Sequence, residues 1–229
     1  RVMQPTPECR VILPRLRQLL RDEAALKRDL QAEVLQGALR LGAISTVIGD
    51  HAAYVVGQLR AAAPEVELQL IPGASHALFE TFEAGGLDAA VIVKPGFELP
   101  KSMHFTCLAQ QQVGWLCPVG TPCAELPLIR YSREAWGGEQ CWQALQTQTS
   151  GPRVLAEMDA LESIAQMVSD GLGWSVLPRW ASMGRHAPDA VFTPIEGVYR
   201  ELGLLSWSRD SRSPMLRLVQ QILSESKVR

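Results

Sequence analysis

Signatures of catalysis and of metal binding are missing from this 229-residue chain. It has no H-E-x-x-H, no G-x-S-x-G and no P-loop; Gly73-Ala74-Ser75-His76-Ala77 lacks the last glycine of a nucleophile elbow. Asp170-Gly171-Leu172-Gly173-Trp174 carries two glycines, but between an expected helix and an expected strand, the wrong order for a dinucleotide turn. The four histidines are scattered and give no metal spacing. No enzyme, no cofactor and no metal site is expected. Charge of one sign is also lacking: 22 Lys and Arg against 24 Asp and Glu leave a net charge of −2. Phosphate binding needs a concentrated positive field, so the balance excludes a generally basic nucleic-acid binder, though not a regulator whose basic part lies elsewhere. Long apolar runs are absent too. The longest uncharged stretch, Ser102 to Ala124, contains His104, three glutamines, Pro118 and Pro122, too polar and broken for a membrane span.

Cysteine is sparse and odd in number: Cys9, Cys107, Cys117, Cys123 and Cys141, with no C-x-x-C. A secreted disulfide scaffold is shorter and more regularly paired, so reduced thiols, mostly buried small hydrophobes, and a cytoplasmic location are expected. The polar opening Arg1 to Arg10, with no apolar run after it, does not read as a signal peptide. At 25.1 kDa and 47% hydrophobic, the chain can bury a full core as one large domain or two small ones.

Glycine is absent from the first 36 residues, about a third of which are charged. Thr6-Pro7-Glu8 reads as a helix start: a hydroxyl cap, a proline at the first helical position, an acid near the positive end of the dipole. Ile12, Leu16, Leu19, Leu26 and Leu30 then form a narrow apolar seam on a helix of roughly 28 residues, with Pro14 near a bend. The seam suits pairing with another helix, for instance from a second copy; the alternative is one long surface helix packed on its own domain.

After Gly37 short apolar runs alternate with helical stretches. Leu39 to Ile44, Val66 to Ile71 and Leu87 to Val93 read as strands, the last apolar but for Asp88 and hence covered on both faces. Between them lie helices over Val47 to Ala63 and Ser75 to Ala84. The order returns without sequence repetition. Strands are expected at Val113–Pro118, Leu126–Tyr131, Val154–Met158, Trp174–Leu177 and Leu202–Ser208, with helices at Glu134–Gln146, Ala160–Asp170 and Pro214–Leu223. Two α/β lobes follow.

Several phrases together resemble the effector-binding domain of LysR-type transcriptional regulators: Gly37-Ala38-Leu39-Arg40-Leu41-Gly42, Pro64-Glu65-Val66-Glu67-Leu68, Gly86-Leu87-Asp88-Ala89-Ala90-Val91, Leu126-Pro127-Leu128-Ile129, and Val168 to Pro178. The opening helix resembles that family's linker helix. The resemblance implies two Rossmann-like lobes of the type II periplasmic-binding-protein kind, joined by two crossover segments near Gln110–Gln112 and Glu196–Tyr199. The implied division is 1–36 linker and dimerisation helix, 37–110 with 198–229 lobe I, and 111–197 lobe II. It further implies a homodimer or homotetramer, a small-molecule effector in the cleft, and DNA contact only through a winged helix-turn-helix not seen in this sequence. Some members sense peroxide through a cysteine pair in the stretch that corresponds to Ser132–Cys141; one cysteine stands there here, which favours a bound small molecule over a disulfide switch. A periplasmic solute-binding protein shares the architecture, but the charged helix and the expected reduced thiols argue against it.

Ligands of open α/β sheets sit beyond the carboxyl ends of strands, where helix amino termini offer free N–H groups. Ser45, Thr46 and Val47 follow the first strand, and the resemblance implies contact with an effector carboxylate there; the plain alternative is a helix cap. Ala74 and Ser75 follow the second strand and Lys94 the third. His76 is more simply a solvated loop residue. From lobe II, Tyr131 with Ser132 and Met158 with Asp159 end strands and open helices. Asp159 and Glu162 also fit a capping box. If Asp159 faces the cleft, it favours an amine or hydroxyl, which with a carboxylate at Ser45-Thr46 suggests an amino-acid-like or hydroxy-acid effector.

Overall fold

Thr6 starts the first helix as its chemistry requires: its Oγ1 accepts a hydrogen bond from the Cys9 amide at 3.2 Å. The computed structural model describes residues 6–30, 35–147 and 151–226. The helix, α1, runs over Pro7–Leu30 and is uninterrupted at Pro14. Ile12, Leu16 and Leu19 on that seam are exposed, so these side chains are not packed on the lobes. The side chains of Leu26 and Leu30 lie outside the described set.

The first lobe follows the expected alternation: β1 (Gln36–Ala43), α2 (Ser45–Ala62), β2 (Glu65–Pro72), α3 (Ser75–Glu83) and β3 (Ala89–Val93). β1 pairs in parallel with β2 and with β3. All five residues of β3 are buried, the signature of a strand covered on both faces. Each such Val or Ile contributes about 1.5–3 kcal/mol by leaving water.

Then comes β4 (Met103–Pro118), followed by β5 (Leu128–Tyr131), α4 (Trp136–Gln146), β6 (Val154–Met158), α5 (Leu161–Ser169), β7 (Ser175–Pro178), the short α6 (Met183–His186), β8 (Ala190–Trp207) and α7 (Pro214–Glu225). The strands expected at Val113–Pro118 and Leu202–Ser208 are the ends of two much longer ones. β4 and β8 pair antiparallel from Met103 opposite Trp207 to Pro118 opposite Ala190, with register shifts at Cys107/Ala109 and Gln112/Gly114. The sheet order is β2-β1-β3-β8-β4-β7, and a separate pair, β5-β6, is tied to it where Leu128 bridges Trp174. The arrangement is therefore antiparallel from β3 through β8 and β4 to β7 and parallel in β2-β1-β3 and in the β5-β6 pair.

Two apolar cores form on either side of a waist. One gathers β1, β3, α2 and α3 with Leu202, Leu204 and Leu205 of β8 and Val219, Ile222 and Leu223 of α7. The other gathers Val113 and Leu116 of β4 with Ile129, Ile164, Val168, Leu177 and Ile195. Between them the strands pass side by side, with Gln110 opposite Glu201, Gln111 opposite Arg200 and Gln112 opposite Tyr199. Gln112 fixes this waist by donating from Nε2 to the carbonyls of Ile195 (2.6 Å) and Val198 (3.0 Å).

The cysteines depart from the expectation of reduced, buried thiols. Cys117 and Cys123 form a disulfide, their Cα atoms 5.8 Å apart. The chain turns back at the end of β4, through Gly120 at φ 80°, and this turn brings the pair together. Cys9 and Cys107 are exposed, and Cys141 alone of the free thiols is buried. Among the described residues, no helix is long and apolar enough to cross a membrane.

Candidate functional site

Parallel strands deliver their carboxyl ends, and the helices that follow them, to one side of a sheet. Here α2 and α3 from the first lobe and α4 and α5 from the second start around one cleft. The residues at their N-caps are Ile44, Ala74, Ala135 and Ala160, and no side chain caps any of them. Asp159 and Ser45 are therefore not capping residues: Asp159 stands one position before the α5 cap, and Ser45 is already inside α2. Their side chains engage the second lobe instead, Ser45 with Glu162 and Asp159 with Tyr131.

A cavity of about 260 Å³ lies between the lobes. Ser45, Thr46, Ala74 and Ser75 line it from the first lobe, and Tyr131 and Asp159 from the second. These six were expected from the sequence. The structure also places Ile44, Gly73, Val93, Ala135, Trp136, Ala160, Leu161 and Glu162 on the wall, and Arg200 at the waist. Four expected residues do not reach it. Val47 turns into the first core. The Lys94 Nζ is tied to Glu201 at 2.7 Å, which holds its pKa above the ordinary lysine value. Ser132 Oγ accepts from the Glu134 amide, and Met158 packs against the second core. His76 lies outside the lining, but its charge acts on Asp159.

Arg200 carries the strongest electrostatic feature of the cleft. It is 0% exposed, and its Nε donates to Gln111 Oε1 at 3.0 Å, with Nη2 donating to the same oxygen. Its Nη1 is buried without a hydrogen-bond partner, as is Thr46 Oγ1. A buried cation is costly without partners, and besides the Gln111 amide the guanidinium interacts with the Tyr131 side chain and with the Asp159 carboxyl. The backbone leaves room for that guanidinium: a Cβ on Gly137 would lie 2.8 Å from Arg200 Cδ and 3.0 Å from Nη1. Burial raises the Tyr131 pKa well above the ordinary phenol value, against the pull of the Arg200 charge. Burial likewise raises the Asp159 carboxyl, opposed by a hydrogen bond with Tyr131 and by the charges of His76 and Arg200. Burial pushes the Cys141 thiol up to about 12, so it stays protonated near neutrality.

Several contacts hold the lobes together across the cleft. Ser45 Oγ donates to Glu162 Oε2 at 3.3 Å, and the Ser182 amide donates to Asp50 Oδ2 at 3.2 Å. Trp136 of α4 meets Phe79 and Phe97 of the first lobe, each with ring centroids 5.7 Å apart. Among the described residues no cluster of His, Cys, Asp or Glu is arranged to hold a metal ion. The cleft is built to enclose and recognise, with hydroxyls and helix N–H groups on one side and ionisable side chains on the other.

Comparison with known proteins gives a consistent result. A family model described as the LysR substrate binding domain matches residues 32–227. The HTH-type transcriptional regulator IlvR of Caulobacter vibrioides is 26% identical over 222 residues, which span 90% of this chain and 72% of that protein. A cysteine mutant of Corynebacterium glutamicum OxyR superposes with a TM-score of 0.71 at 18% identity, over 96% of this chain and 74% of that one. The effector-binding domain of QuiR in complex with shikimate gives 0.68 at 15% identity, over 83% of this chain and 97% of that one.

Proposed function

Because the chain belongs to the LysR substrate-binding-domain family, we propose that it is the effector-sensing and oligomerisation part of a transcriptional regulator, binding a small molecule in the cavity between its lobes. The observation that carries the reading is the cavity itself, lined from both lobes and containing buried polar atoms, Thr46 Oγ1 and Arg200 Nη1, that have no partner within the protein. Such atoms are costly alone and are satisfied when a ligand arrives. Ser45, Thr46, Ala74, Ser75, Tyr131 and Asp159 are its contact residues in this reading. Residues 37–110 with 198–229 form lobe I and 111–197 lobe II, with β4 and β8 as the hinge.

A ligand that touches both lobes favours the closed arrangement only by as much as it binds that arrangement better than the open one. The lobe angle is then passed through α1, whose exposed seam pairs with a second copy, to a DNA-reading domain outside these 229 residues. That is a coupling between two sites. The regulator works in the cytoplasm.

Thermal unfolding against amino acids, aromatic acids, dicarboxylates and sugars tests the reading. A ligand at about one hundred times its dissociation constant adds about 2.7 kcal/mol, a rise of several degrees for a chain of this size. Thr46→Ala should weaken the response. A saturable response untouched by Thr46→Ala keeps the sensing function and removes the site.

A further inference from the structure

Trp136 leaves the lobe that carries it. It is the first residue of α4, and the rest of that helix packs inward, with Cys141, Ala144 and Leu145 in the second core. The Trp136 ring packs instead against the first core. There it meets Phe79 of α3 and Phe97 of the connection between β3 and β4, each with ring centroids 5.7 Å away. Phe79 and Phe97 meet each other at 5.4 Å, nearly perpendicular at 81°. All three sides of this triangle fall in the range where tilted and edge-to-face aromatic pairs attract. Phe79 is buried, while Phe97 is 50% exposed.

We propose that Phe79, Trp136 and Phe97 form a clasp that holds the lobes closed from the side of α3 and α4, and that Phe97 thereby sets ligand affinity without touching the ligand. The contacts are ring on ring, made by the protein alone, so they hold whatever the cavity contains. The polar contacts that α2 makes with the second lobe are of another kind. Ser45 Oγ meets Glu162 in an exposed hydrogen bond of 3.3 Å, and the Ser182 amide meets Asp50 at 3.2 Å. Water replaces an exposed polar contact at little cost, whereas apolar ring surface finds no comparable partner in water. Closure therefore rests on the rings.

Resting on the sensing function proposed above, the clasp has a consequence for binding. Only closed molecules present both walls to a ligand, so the apparent dissociation constant is the intrinsic one divided by the closed fraction. Trp136 is on the cavity wall, and the two phenylalanines stand behind it, outside the lining. Phe97 is thus a positioning residue: out of the ligand's reach, it tunes how much of the protein is ready to bind. Half exposed on the connection 94–102, its ring can be removed without opening either core.

Residue-by-residue amide hydrogen exchange of the full chain, with nothing added, tests the clasp. The Ser182 amide donates to Asp50 of α2 across the cleft, so it reports separation of the lobes through elements that carry none of the three rings. Phe97→Ala should raise its exchange about 3- to 10-fold, the worth of an aromatic contact expressed as an opening equilibrium. That rise should exceed the rise at Ile92 in the first core and at Ile164 in the second. Trp136→Ala should act in the same way. The double variant should fall short of the product of the two, because both remove one shared contact. Ser45→Ala should leave the Ser182 amide within about twofold. An unchanged Ser182 amide in Phe97→Ala, an equal rise at every amide, a fully multiplicative double variant, or an equal effect of Ser45→Ala overturns the clasp. The Phe97 variant answers the question even if Trp136→Ala does not fold. No ligand enters the measurement, so its failure leaves the sensing function standing, and silence of the compounds named above leaves the clasp standing.

Discussion

The two lobes share an architecture and divide the work. Lobe I is built from parallel strands whose inner member, β3, is buried along its whole length, and it gives the cavity hydroxyls, glycine, alanine and aliphatic groups. Lobe II is more loosely joined. Its β5-β6 pair stands apart from the main sheet, joined to it at Trp174 and Ser175 by the Leu128–Trp174 bridge and the hydrogen bonds around it, Val154 and Leu155 are exposed on β6, and a disulfide closes the turn after β4. It gives the cavity Tyr131, Trp136, Asp159 and Glu162, the groups that titrate or stack. A continuous apolar core can hold neutral donors rigidly at helix starts. The costly ionisable groups sit where the fold has less core to lose. The one cation comes from the strand that both lobes share.

The glycines of the two lobes should break this comparison most visibly. A Cβ at Gly138, at the start of α4, would lie 1.8 Å from the Ser132 carbonyl oxygen and 2.8 Å from its carbon, so backbone must move. Gly138→Ala should destabilise by about 3 kcal/mol or more. A Cβ at Gly49, within α2 of lobe I, meets nothing within 4 Å. Gly49→Ala should therefore stabilise by about 0.5–1 kcal/mol, the helix-propensity gain of alanine over glycine. Denaturant unfolding of both variants checks the signs; two losses of similar size would mean that the start of α4 is not the tight junction described.

The disulfide is the next largest effect and belongs to lobe II alone. Closing so short a loop is worth about 2 kcal/mol in the unfolded chain. Reductant, or Cys123→Ser, should lower stability by that amount. Alkylation followed by mass analysis should mark Cys9 and Cys107 in the folded protein. Cys117 and Cys123 should react only after reduction. Cys141, buried and protonated, should react only on unfolding.

Much of the fold was legible because local pattern and tertiary role agree. The apolar run before Lys94 can only be a strand covered on both faces, and Val154–Met158 is bounded by sequence that breaks it. The inner halves of β4 and β8 were not legible. Gln110-Gln111-Gln112 and Tyr199-Arg200-Glu201 carry no alternation of apolar and polar residues, and they are extended because each pairs with the other, Gln111 and Arg200 standing 89 residues apart in the chain. The same non-local pairing hid Arg200. In the sequence it is an arginine between Tyr199 and Glu201; its burial follows from standing opposite Gln111. A placement of the crossover near Tyr199 was the available hint. The rule that ligands meet helix starts led to Thr46, Ser75, Tyr131 and Asp159, but it does not say which way a side chain turns. Val47, one residue past Thr46, faces the core, and Lys94 finds Glu201.

The smallest predicted effect sharpens the comparison in another way, because the lobes should respond to pH with opposite signs. His51 of α2 is buried, which holds its pKa below the ordinary histidine value despite Asp50. Its folded form therefore binds a proton less readily than its unfolded form. The stability it protects is present above the unfolded pKa, about 6.5, and is lost as pH falls through the lower folded value. Asp159 has a raised folded pKa, so its contribution runs the other way: it is present below the unfolded value, about 3.9, and is lost as pH rises through the folded one. His51→Gln should accordingly flatten the acid side of the stability profile. Asp159→Asn should raise stability on the neutral side and leave the acid side unchanged. Asp159 is open to solvent across the cleft, so its effect is screened to under about 1 kcal/mol. Melting temperatures between pH 4 and pH 8 give the answer. If Asp159→Asn instead lowers stability at neutral pH, the aspartate is a structural partner of Tyr131 rather than a carboxylate held exposed for a ligand.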